Sequence, residues 1–171
     1  WVQGRQLPER RAAEEGRADP ARPQRFHRET QMLLSLICAF QGDAAAAGRT
    51  ARQGIATGLA LESAFVQAVG HMRLGHALQI GEASPWQRDP DAPAGTWWAV
   101  APNVCQARAC YERAIGQVRA FNVMRTYVEP LWGLCRIHAY SGDLAAARRY
   151  AGEALDIGTR AGDEWICDLV R

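Results

Sequence analysis

Residues 129–155, EPLWGLCRIHAYSGDLAAARRYAGEAL, decide the fold. Leu131, Leu134 and His138 recur at helical spacing before Gly142, and Ala147, Ala151, Ala154 and Leu155 recur so after Asp143. The stretch therefore predicts one helix, a tight turn at Gly142-Asp143 and a second helix. The small Ala side chains of the second helix let it lie close against the first.

The same pattern extends outward. Gly42-Asp43 is a second turn of this kind, with Asp43 placed to N-cap an Ala-rich helix. Helical spacing predicts helices over 26–40, from 44 onward, over a long 59–81, over 103–121, over 123–140 and over 143–160, with one more starting after Gly162-Asp163. Leu34, Leu74 and Leu134 align in one column, Ala47, Ala107 and Ala147 in another, and Ile55, Ile115 and Leu155 in a third. Leu34 and Leu74 are 40 residues apart, as are Ala107 and Ala147, whereas Leu74 and Leu134 are 60 apart. A repeat of 40 residues with one 20-residue insertion between Leu74 and Ala107 accounts for all of these spacings. Each hairpin leaves one apolar face open, so neighbours must stack to cover it. Pro130 removes a helical hydrogen bond wherever it is interior, so the helix either starts near Glu129 or bends there.

The insertion falls on 82–102, a stretch with Pro85, Pro90, Pro93 and three of the six Trp residues. Its Pro and Asp content predicts an extended loop. Its indoles favour burial, so the Trp97-Trp98 end is expected to pack back on the helices, covering one end of a groove near His76 or only the outer surface. Residues 1–27, broken by Pro8, Pro20 and Pro23 and rich in charge, are expected to form an irregular or partly helical connector, with the helical repeat domain covering 28–171.

Composition narrows the function classes. A net charge of +2 does not argue for direct nucleic-acid or membrane binding. No apolar run reaches the ~18 residues that span a bilayer. The five cysteines lack zinc or CxxC spacing and fit reduced thiols of a cytoplasmic protein, with a Cys105–Cys110 disulfide as the minor alternative. All 20 basic residues are Arg, which excludes a Walker A lysine within the chain. His71 and His76, five apart on one helix, do not share a metal, and Glu62 and Glu129 have no visible partner. No nucleophile elbow, HExxH or catalytic triad is present, so neither enzyme activity nor a cofactor or metal is expected. The polar N-terminus without Met and the helix running to Arg171 are expected for a piece of a longer protein.

The hairpin pattern resembles the tetratricopeptide repeat, although its period of roughly 40 residues exceeds the usual value of about 34. More closely, the chain is similar to the helical repeat region of LuxR-type ATP-dependent transcriptional regulators of the maltose-regulon-activator class. Trp1, Leu7-Pro8, Phe26-His27-Arg28-Glu29 before Leu33-Leu34, and the phrases GDLAAARRYAGEAL and AGDEWICDLVR carry the likeness. The resemblance implies a tetratricopeptide-like superhelix of antiparallel hairpins that senses an effector or binds protein. It also implies nucleotide-binding and DNA-binding modules of the same polypeptide outside these residues. A free-standing protein–protein interaction adaptor is the alternative.

In such arrays the first helix of each hairpin lines a concave face. The columns put Met32, Leu36 and Phe40 there from the first repeat, Met72, His76, Gln79 and Ile80 from the second, and Glu129, Trp132, Arg136 and Tyr140 from the third. Apolar area with a few polar groups suits a peptide, a protein segment or a small effector. Trp97 and Trp98 are the loop candidates, and self-association into a homo-oligomer is admitted.

Overall fold

The computed structural model describes residues 33–82, 98, 100–119, 124–162, 164, 167 and 168. The described residues are helical apart from turns and caps, with no strand among them. The chain is all-α. The order is α1 (33–40), α2 (Ala44–Ala60), α3 (Ala64–Gly81), α4 (Pro102–Val118), α5 (Met124–Tyr140) and α6 (Leu144–Ala161). Successive helices pack on one another: α2 on α3, α3 on α4, α4 on α5 and α5 on α6. A smaller contact joins α3 directly to α5.

Three turns share one conformation. The amide of Gly42 donates to Ala39 O and that of Asp43 to Cys38 O; Gly142 donates to Ala139 O and Asp143 to His138 O. This is the Schellman pair of bonds that closes a helix C-terminus and requires a left-handed residue. Glycine supplies it with φ of 77° at Gly42 and 79° at Gly142. Asp43 and Asp143 then cap the next helix at once, accepting from the amides of Ala46 at 2.8 Å and Ala146 at 3.0 Å. The third turn repeats both bonds, from Glu62 to Leu59 O and from Ser63 to Gly58 O, with Ser63 as the N-cap of α3. Here the left-handed position falls to Glu62, at φ 51°. The expected helix over 59–81 is therefore corrected: α2 runs on to Ala60, and α3 begins only at Ala64.

The Ala column is buried throughout, at Ala47, Ala107 and Ala147. Ser35 of α1 donates to Ala47 O at 2.9 Å, and Ala39, Ala47 and Ala77 form one small cluster. The Leu column is uneven. Leu134 is buried, but Leu34 is 47% exposed, because no described residue covers that face of α1. Pro130 lies inside α5, well past its first turn, and its ring is fully buried.

The largest cluster centres on Tyr111 of α4. Its ring inserts between α3 and α5, and only glycines admit it. A Cβ at Gly75 would come within 2.6 Å of Tyr111 Cε1, and one at Gly133 within 2.4 Å of Tyr111 Cζ. Trp98 joins the same cluster, set edge-on to Tyr140 at a centroid distance of 5.5 Å. The expectation that the end of the insertion packs on the helices is met at Trp98. Trp97, with the rest of 83–97, lies outside the described residues, as do Met32 and the connector 1–27. All five cysteines are free thiols. Among the described residues no helix is long and apolar enough to cross a membrane.

Candidate functional site

Alternate helices converge on one cavity of about 380 Å³. Helix α1 contributes Leu36, Ala39 and Phe40; α3 contributes His76, Gln79 and Ile80; α5 contributes Glu129, Trp132 and Arg136. The volume lies in the range of about 300–1,000 Å³ usual for small-molecule sites. The walls are mainly apolar, and Phe40 at the rim is 82% exposed.

The polar groups are individually placed. His76 is 9% exposed and Gln79 5%. Tyr111 reaches the cavity floor from behind, its hydroxyl donating to Gln79 Oε1 at 2.9 Å. That bond fixes the amide and leaves Gln79 Nε2 buried without a partner, and His76 Nε2 is in the same condition. The His76 ring lies 5.5 Å from Tyr111 and edge-on to Trp132 at 6.4 Å. Burial first, then the nearby Arg73 and Arg136 charges, pull its pKa down to about 3, so it is neutral at physiological pH. Burial likewise pushes the Tyr111 phenol well above its ordinary value.

Glu129, expected from sequence to be isolated, is held by Arg73 of α3 through a 2.7 Å ion pair. Arg136 is different. Its guanidinium carbon lies 4.8 Å above the Trp132 ring centre and 5.7 Å from that of Tyr140. Stacking of this kind holds the planar group by its face and leaves the N–H edge available.

No family model, curated protein or solved structure matches the chain.

Of the residues placed on one face by sequence, Leu36, Phe40, His76, Gln79, Ile80, Glu129, Trp132 and Arg136 do meet at this cavity. Met72 does not: it packs with Val69 and Ala114 in the seam between α3 and α4, where α4 covers it. Tyr140 stands behind Arg136, its ring taken up by Trp98. Trp98 is a core residue and does not line the cavity. Sequence singled out neither Arg73 nor Tyr111. The partner of Arg73 is 56 residues away, and Tyr111 lies outside the first helices expected to line the face. The signal available for Tyr111 was the pair Gly75 and Gly133, interior helix positions where a glycine calls for a close neighbour.

A second cavity, about 220 Å³, lies between α4, α5 and the 141–143 turn. Its histidine is already engaged, with His138 Nδ1 3.2 Å from Asp143 Oδ2, and Asp143 caps α6. Among the described residues no three His, Cys, Asp or Glu side chains come together as a metal site. Burial raises the pKa of both Cys110 and Cys135, which disfavours the reactive thiolate.

Proposed function

We propose that this chain is the effector-sensing helical repeat domain of a bacterial transcriptional regulator, and that the cavity between α1, α3 and α5 receives the effector. The observation that carries the proposal is the convergence of three alternate helices on one apolar cavity holding a few buried, unpartnered polar groups. A tetratricopeptide-like superhelix with a 40-residue period would place the first helix of each hairpin there. The shared conformation of the turns at Gly42-Asp43 and Gly142-Asp143, one hundred residues apart, supports that register. An effector spanning α1, α3 and α5 binds best when the three are in one relative placement. It thereby biases the two-state balance of the attached modules by its differential affinity. Nucleotide-binding and DNA-binding modules elsewhere in the same polypeptide complete this proposal, and the cell compartment is the cytoplasm.

The experiment compares transcripts in a host carrying the full reading frame in wild-type and Trp132→Ala forms, alongside proteins recovered with each. A sensor loses the response of a defined set of promoters. An unchanged transcript profile with an altered set of bound proteins would favour the free-standing adaptor.

A further inference from the structure

The geometry points to a specific class of ligand: a small monocarboxylate with an apolar body, its carboxylate on Arg136 and its body between Trp132, Ile80 and Leu36. This rests on the effector-pocket proposal above and narrows it.

Charge decides the anion. Glu129 and Arg73 neutralise one another across a 2.7 Å contact, so the fixed charge left at the cavity is that of Arg136. Among the described residues no carboxylate pairs with Arg136, whose face is already occupied by Trp132. Its free N–H edge matches the two oxygens of a carboxylate. A dianion would carry a second charge with no cation to meet it and with Glu129 close by.

Hydrogen bonding supports the same choice. Gln79 Nε2 is a donor with no partner, and it cannot turn to accept without giving up the bond from Tyr111. His76 Nε2 is likewise unpartnered. A carboxylate offers about four lone-pair sites, enough for the guanidinium edge and for further donors. The Gln79 donor is unfavourable without a partner in the empty site and is satisfied when such an acceptor arrives, and His76 Nε2 joins it in the tautomer that carries the proton there. The remaining walls accept only hydrocarbon.

The test is calorimetric titration of the 171-residue chain with 3-phenylpropionate, 3-phenylpropionamide and 3-phenylpropylamine. The acid is expected to saturate one site, the amide to bind roughly ten- to a hundredfold more weakly, and the amine not to bind. Arg136→Gln brings the acid down to the affinity of the amide. The acid, amide and amine series reads the charge assignment on the wild-type chain, so that assignment stays testable even if Arg136→Gln does not fold. Equal affinity for acid and amide in the wild type would overturn the anion assignment while leaving an effector pocket standing. Failure of all three compounds to bind the folded chain would remove both.

Discussion

Gly75 and His76 are adjacent in α3, and Gly133 and Trp132 are adjacent in α5, yet the two pairs lie in opposite surroundings. At the glycines the helices close on Tyr111 with no room to spare. One residue along each helix they part, and His76 and Trp132 face a cavity of about 380 Å³. The aromatic ring that fills the seam also holds the cavity floor, through Tyr111 and Gln79. The helices are thus close-packed where they touch at the seam and open where they separate at the cavity.

Breaking the seam should have the largest effect. Tyr111→Ala removes a fully buried ring and is expected to lower stability by about 3–5 kcal/mol, read from denaturant unfolding. Gly133→Ala forces a methyl group into the same ring and should cost about 1–3 kcal/mol. An equal loss from Trp132→Ala, which lines the cavity, would abolish the distinction between seam and cavity.

Titration sharpens the comparison from the cavity side. His76 has a pKa of about 3 in the folded chain against 6.5 in the unfolded one. The unfolded state therefore binds the extra proton first. Stability from this group is complete above pH 6.5 and falls as pH drops toward 3, by up to about 1.4 kcal/mol per pH unit. Arg73 and Arg136 act on the ring through their charges, and Tyr111 and Trp132 pack against it. The slope should accordingly be read as the difference between wild type and His76→Gln. Identical pH profiles for the two would show that the ring is not buried as described.

The smallest effect lies away from both regions. Glu62 holds the left-handed position that glycine fills in the other two turns. Glu62→Gly should gain up to about 1 kcal/mol, and Gly142→Ala should lose a similar amount, with no change at the cavity. A melting temperature unmoved by either would mean that the three turns are not equivalent.

These turns also show what sequence could convey. Gly42-Asp43 and Gly142-Asp143 announce themselves, because one residue supplies the left-handed backbone and the next caps a helix. Glu62-Ser63 carries no glycine, so helical spacing alone puts the helix boundary at Leu59, inside α2. The face bearing Leu36, His76, Trp132 and Arg136 was legible because helical spacing and the 40- and 60-residue offsets depend on sequence alone. Met72 shares that spacing but not the cavity, since which helix covers a position is a property of packing. The Arg73–Glu129 pair and the Tyr111 insertion were hidden for the same reason. Each joins residues whose proximity exists only once α3, α4 and α5 have assembled.

The most direct measurement is an NMR experiment on the chain with 3-phenylpropionate, recording nuclear Overhauser contacts from the ligand ring to protein side chains. Contacts to the methyl groups of Leu36 and Ile80 and to the indole of Trp132 are predicted. Contacts confined to Val104 and Ile137, at the smaller cavity, or none at all under saturating ligand, would contradict a binding site between α1, α3 and α5.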